Sequence, residues 1–349
     1  MATSYFKAHL WEIVGICAGS RSYEFYWDSV QHGRLWTKLP ELHAKLGPIV
    51  RIGPDELHIQ DLGYFTYLFS FKPLDKWAIA ARQIGLRYAM FGTEEYKQYT
   101  QRRAAFGDAF SRSKTFKLQP LVNANIRKGC QHIEARAAQN QTTDLAYLYR
   151  ATTAEILTKY MYGQNYSFFV DEKTTRGLYD RRFDKIFGLT NLGRFIPYMI
   201  PTISILIRSR INLLLGSHGT TTSILGFKGS DKTGDALSQA TMAAWSGGWD
   251  TTAFALTQCS YYLMKHPRVL NRLQQELIAV WPDAAEDPTY SMLISLPYLD
   301  AVIKESLRLM YGALSRLTRN QSVRKRAVPR VDYSGGHQDK HVTTRYQPR

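Results

Sequence analysis

A mainly α-helical fold with a small β-sheet is what this sequence of 349 residues predicts. Apolar residues recur at spacings of three and four over long windows, as in Leu270, Leu273, Leu277 and Ile278, the pattern of helices that bury one stripe. Strand signals are few, and the clearest stands near the start. No segment repeats with a period of roughly 20–50 residues, which excludes solenoids and propellers. A hydrophobic share of 44% with 13% aromatics excludes disordered, collagen-like and disulfide-scaffold classes. The length permits one large helical domain or two smaller ones.

Residues 1–22 read as a divergent N-terminal segment without a membrane anchor. The run from Leu10 to Gly19 contains Glu12 and is half the roughly 20 apolar residues that a span needs. As written, the chain is therefore expected in the cytoplasm. Next, Ile49-Val50-Arg51-Ile52, Gly53-Pro54-Asp55 and Leu57-His58-Ile59 read as two short strands around a turn. Cys17, Cys130 and Cys259 lie far apart with no C-x-x-C pair, so neither a zinc site nor a redox dithiol is predicted.

Three segments carry residues suited to chemistry. From Tyr96 to Ser111 a helix bears Arg102 and Arg103 with aromatics on either side. The guanidinium fork suits a carboxylate, and the alternative is a solvated face. Further on, Gly247-Gly248-Trp249-Asp250-Thr251-Thr252 interrupts a helical pattern. Two adjacent glycines cost a helix about 2 kcal/mol relative to alanine, so something requires the missing side chains. A flat ligand against the backbone is one reason, with a Thr hydroxyl bonded back to the carbonyl four residues earlier. An ordinary helix start capped by Asp250 or Ser246 is the other. The third segment, Tyr298 to Leu309, sets Glu305 and Arg308 three apart on one helix face, which alone reads as a surface ion pair.

After Arg319 the composition changes. Residues 320–349 carry seven basic and two acidic side chains and no Leu, Ile, Phe, Met or Trp. Such a segment buries too little apolar surface to offset its ordering entropy, so a disordered basic tail is predicted there. It supplies part of the net charge of +16, which favours acidic surfaces. The Arg324-Lys325-Arg326 cluster has no interleaved aromatics or helix-turn-helix pattern, so no nucleic-acid binding is expected. Hydrolase and nucleotide motifs (G-x-S-x-G, H-E-x-x-H, G-x-x-x-x-G-K-[ST]) are absent.

Taken in order, these segments resemble the cytochrome P-450 superfamily of heme-thiolate monooxygenases, in particular the fungal branch that includes trichodiene-oxygenase-like enzymes. The resemblance starts near Tyr23-Glu24-Phe25-Tyr26-Trp27-Asp28. It is strong from Leu46 to His58 and runs to about Arg319, so residues 23–319 are expected to form a partial domain of that helical fold. By this resemblance Asp250 and Thr251 are the acid and hydroxyl of oxygen activation, and Gly247 and Gly248 give room over a heme. Arg103 meets a heme propionate, and Glu305 with Arg308 is the E-x-x-R pair of the heme-side core. Pro267 is expected to start the helix after the long one.

The same resemblance implies oxidation of an apolar, terpenoid-like secondary metabolite with electrons from a flavoprotein reductase. Members are usually anchored to the endoplasmic reticulum. An axial thiolate pushes electron density onto the iron. The family's ligand loop, F-x-x-G-x-R-x-C-x-G, follows E-x-x-R, whereas no Cys follows Arg308 here. Cys259 is eight residues past Thr251, about 12 Å along the same helix. The expectation is a C-terminally incomplete fold with no iron ligand among the three cysteines, explained by truncation, splice retention or frameshift after Arg319. The alternative function is then an inactive remnant or apolar-ligand-binding module. Trp249, where a smaller residue is common, is expected to narrow the substrate space.

Overall fold

A computed structural model describes residues 21–31, 33–54, 56–71, 73–78, 86–163, 165, 234–310, 312, 318–321 and 341–346. Residues 1–20 with Cys17, the stretch 213–233 and the cluster 324–326 lie outside the described residues. The chain divides into two compact units, one of residues 1–103, 183–212 and 314–349, the other of residues 104–182 and 213–313.

In the first unit α1 (Arg21–Phe25) runs into a π-helical turn, Tyr26–Val30, followed by α2 (Leu35–Leu46). Gly47 ends α2 with φ +93°, a conformation that side-chain-bearing residues rarely adopt. The predicted strands are present as β1 (Ile49–Gly53) and β2 (Glu56–Gln60), paired antiparallel with Ile49 opposite Ile59. Along β1 the side chains alternate, with Val50 and Ile52 buried and Ile49 and Arg51 exposed, as a strand with one wet face requires. Val50 and Ile52 pack with Leu35 and Leu39 of α2, and Tyr23, Trp27 and Leu42 close that cluster.

A buried histidine pair ties α2 to β2. Nδ1 of His43 lies 2.8 Å from the Gly47 carbonyl and its Nε2 lies 2.7 Å from Nδ1 of His58. Because a carbonyl only accepts, Nδ1 of His43 donates there, and in a neutral ring its Nε2 accepts from His58. Helix α3 (Leu62–Thr66) is capped by Asp61, whose carboxylate accepts from the Tyr64 amide.

Two further strands belong to this unit: β3 (Arg319–Gln321) and β4 (His341–Tyr346), in a sheet of order β1-β2-β4-β3. Both fall where the sequence predicts the helical domain's end and a disordered tail. Main-chain hydrogen bonds hold such strands without large apolar side chains. Helix α4 (Tyr96–Ala109) continues past the unit boundary at residue 103.

The described residues of the second unit are mostly helical. It contains α5 (Arg112–Lys117), α6 (Gln119–Ala138), α7 (Leu145–Tyr162), α8 (Gly234–Lys265), α9 (Pro267–Val280), α10 (Tyr290–Leu293) and α11 (Pro297–Leu309). Asp144 caps α7 by accepting from the Tyr147 amide at 3.1 Å, and Gly163 closes it in the left-handed region. As expected, Pro267 opens α9. Proline also opens α11, where the two oxygens of Glu276 accept from the Tyr298 and Leu299 amides, each at 2.9 Å. The long α8 has α7, α9 and α11 as neighbours. Contacts between α7 and α8 step through Tyr149–Ser260, Thr153–Trp249 and Thr158–Trp245, so the two helices run antiparallel. Among the described residues no helix is long and apolar enough to cross a membrane.

Candidate functional site

The Gly-Gly-Trp-Asp-Thr-Thr run lies in the middle of α8, a continuous helix of 32 residues. The alternative of a helix start capped by Asp250 or Ser246 is therefore excluded. At about 100° per residue, Gly247, Thr251 and Phe254 share one face, and all three are exposed. Trp245, Trp249 and Ala253 share the opposite face and are buried.

The buried face explains half of the glycine pair. The indoles of Trp245 and Trp249 stack at 4.8 Å with 23° between planes. Nε1 of Trp245 donates to the Thr158 hydroxyl at 3.0 Å, and Oγ1 of Thr153 donates to the Trp249 carbonyl at 3.0 Å. A Cβ on Gly248 would meet Cδ1 of Leu157 at 3.0 Å, so a side chain there would crowd α7 and Leu157 would have to give way. At Gly247 a Cβ would meet nothing within 4 Å. Helix packing thus gives a reason for Gly248, whereas none of the described residues gives one for Gly247. Trp249 differs from expectation too: its indole is buried against Trp245, away from the face of Gly247.

Thr251 donates its hydroxyl to the Gly247 carbonyl at 2.6 Å, the back-bond anticipated from the spacing. That bond uses the hydroxyl proton and leaves the oxygen of this exposed residue able to accept. Asp250 sits between the two faces and accepts from Nε of Arg150 on α7 at 2.8 Å, with 50% of the Asp250 side chain exposed. Arg150 is a residue that sequence reasoning missed. It stands 100 positions from Asp250, and no local spacing signals the pairing.

Glu305 and Arg308 lie on α11 and bond through two contacts, of 2.6 and 2.5 Å. Both are exposed. The hydrogen bonds from Arg308 hold the Glu305 carboxyl below its ordinary value, and the same bonds raise Arg308. The second unit therefore contains Gly247, Gly248, Asp250, Thr251, Glu305 and Arg308, with the first four on one helix.

Arg103 belongs to the first unit. It is exposed and donates to the Tyr99 hydroxyl at 2.9 Å. Its neighbour Arg102 is buried and donates to the Arg87 carbonyl and the Thr93 hydroxyl at 3.0 and 2.6 Å, so the two adjacent arginines have separate tasks. Lys76 sits 4.4 Å from the centre of the Tyr99 ring. Burial first, and then the charge of Arg319, lowers Lys76 to about 8. Lys76 and Arg319, which pair through a β-bridge, also went unnoticed in the sequence. They are 243 positions apart, and only folding sets both beside Tyr99.

The family model for cytochrome P-450 matches residues 207–323, a range that contains α8, α9 and α11. The chain is 28% identical over 329 residues to a tryptophan 6-hydroxylase, fscE, of Fusarium equiseti, a match covering 84% of this chain and 64% of that one. It is 27% identical over 342 residues to the cytochrome P-450 monooxygenase MO6277 of Ascocoryne sarcoides, covering 85% and 66%. It is 24% identical over 330 residues to the cytochrome P-450 monooxygenase TRI4 of Trichoderma arundinaceum, covering 85% and 63%. Over most of its length the chain is thus similar to fungal cytochrome P-450 monooxygenases. It spans about two thirds of the length of the curated relatives it matches.

Cytochrome P-450 proteins carry heme, and a flat group of that kind needs an open helix face. Gly247 is a bare position with a hydroxyl-bearing residue beside it on an exposed helix face. The axial ligand is a different matter. Cys130 is exposed on α6 and Cys259 half-buried on α8, eight residues beyond Thr251. Among the described residues no cluster of three His, Cys, Asp or Glu side chains is placed to hold a metal.

Proposed function

We propose that this cytochrome P-450 homologue serves a heme-thiolate monooxygenase of secondary metabolism, acting on an apolar, terpenoid-like substrate with electrons from a flavoprotein reductase. The observation that carries the reading is Gly247. Its missing side chain has no packing reason within 4 Å among the described residues and opens the α8 face where Thr251 stands. When bound, heme supplies the oxygen chemistry. Each of the chain's own residues has a separate task. Gly247 leaves space, and the Gly247 carbonyl holds the Thr251 hydroxyl by its proton, so that the oxygen is left able to accept. Arg150 orients the carboxylate of Asp250, a group suited to relaying protons through water. In the first unit Arg103, with Lys76 and Arg319 near the same phenol, is suited to hold a carboxylate.

A second reading, an apolar-ligand-binding module without turnover, is favoured by the positions of Cys130 and Cys259, neither of which accompanies Gly247 on its face. One titration tests both. Hemin added to the purified chain is expected to give a saturable Soret shift. Gly247→Leu is expected to weaken that binding at least tenfold with helix content unchanged, whereas Cys130→Ser leaves it intact. A folded chain that shows no saturable binding refutes both readings. A thiolate-type spectrum supports the monooxygenase and sinks the module, and binding without that spectrum does the reverse.

A further inference from the structure

We propose that the cleft between α9 and α11 is a binding site for a small monocarboxylate with an apolar body, held by Arg272. The site uses none of the residues of α8. It is an open cleft of about 570 Å³, lined by Arg272, Gln275 and Glu276 of α9 and by Pro297, Tyr298 and Ala301 of α11. That volume is in the range of small-molecule sites.

Arg272 is the positive charge of this cleft. Its natural partner is Glu276, four residues further along the same helix. Both oxygens of Glu276 are taken by main chain instead, one accepting from the Tyr298 amide and the other from the Leu299 amide, each at 2.9 Å. The positive end of α11 thus already has its carboxylate, and the anion-attracting group left over is the guanidinium. It lies over the Tyr298 ring, 4.3 Å from the ring centre. A contact with a ring face fixes the cation without accepting any of its N–H groups. Among the described residues no carbonyl or carboxylate accepts from Arg272, and the Gln275 amide likewise has no hydrogen-bond partner among them.

These groups set the ligand's chemistry. A carboxylate engages two N–H groups of one guanidinium at once, a bond that a neutral amide does not match. Pro297 and Ala301 are exposed and the Tyr298 ring is half-buried, so an apolar body beside the acid gains by covering them. The Glu276 carboxylate on the same wall makes a doubly charged anion such as phosphate the poorer fit.

Alanine-methyl NMR on the full chain tests this, because Ala301 reports from inside the cleft. Titration with 3-phenylpropanoate to about 10 mM, a concentration that reveals even millimolar binding, is expected to shift the Ala301 methyl saturably and leave the buried Ala253 of α8 unmoved. The neutral 3-phenylpropanamide and the Arg272→Gln variant are each expected to weaken binding at least tenfold. Arg272→Lys, which keeps the charge and loses the fork, should fall between. Arg268→Gln, one turn away on α9, should leave it unchanged. No saturable shift of Ala301 overturns the proposal, as does an amide that binds as well as the acid. Equal losses from Arg268→Gln and Arg272→Gln would assign the binding to diffuse positive charge and overturn it too. If Arg272→Gln fails to fold, the acid against the amide on the unsubstituted chain decides alone.

Discussion

Replacing Gly247 and Gly248 separately with Ala isolates what the glycine pair is for. Both substitutions gain the same intrinsic helix propensity, about 0.5–1 kcal/mol, because both sites are interior to α8. They differ in what the new methyl meets. At 247 it meets nothing within 4 Å, and at 248 it comes to 3.0 Å from Cδ1 and 3.5 Å from Cδ2 of Leu157. Carbon atoms settle at about 3.5–4.0 Å, so Leu157 or the helix must shift, at a cost of about 1–3 kcal/mol. Gly247→Ala is thus expected to stabilise the chain by about 0.5–1 kcal/mol and Gly248→Ala to be neutral or destabilising by up to about 2 kcal/mol. Urea and thermal unfolding read both, with about 2–4 °C for each kcal/mol in a domain of this size. Equal shifts in the same direction would show that α7 does not constrain Gly248. A destabilised Gly247→Ala would show that its face is already in contact with protein.

Trp245→Phe keeps most of the stacking with Trp249 but orphans the Thr158 hydroxyl, and a loss of about 1–3 kcal/mol in urea unfolding is expected; Thr158→Val added to it should recover part of that loss. The Arg150–Asp250 pair is half exposed, so a double-mutant cycle with Arg150→Ala and Asp250→Asn should give a coupling below about 1 kcal/mol that shrinks in high salt. Coupling well above that, unaffected by salt, would contradict the exposed geometry. Lys76 is held at about 8, below its unfolded value of 10.5, so the folded state binds fewer protons between those values and stability rises with pH across that window. Allowing for its partial exposure, the gain from pH 8 to 10 is on the order of 1–2 kcal/mol. Lys76→Met should flatten that part of the stability profile, and an unchanged slope would remove Lys76 as its source.

The helical class and the first hairpin were legible because they rest on local rules. The alternation of Val50 and Ile52, the Gly-Pro turn and the proline that opens α9 each act within a few residues. The run around Asp250 was recognisable for the same reason, since paired glycines, an acid and threonines within one turn conflict with plain helix propensity. What the run alone left open was the task of each glycine, because that depends on Leu157, some 90 positions away. Arg150, Lys76 and Arg319 were missed for a related reason: each acts on a partner that no spacing links to it.

By itself the sequence determined which segments are helices, where the small sheet begins and which short motifs carry unusual chemistry, because propensity, periodicity and turn stereochemistry are properties of neighbours along the chain. Only the tertiary structure decided which face of α8 is buried, which guanidinium meets Asp250, and that His341–Tyr346 is a strand on β2. Those outcomes turn on steric fit and on main-chain groups that need partners, and both are settled between residues that meet only after folding.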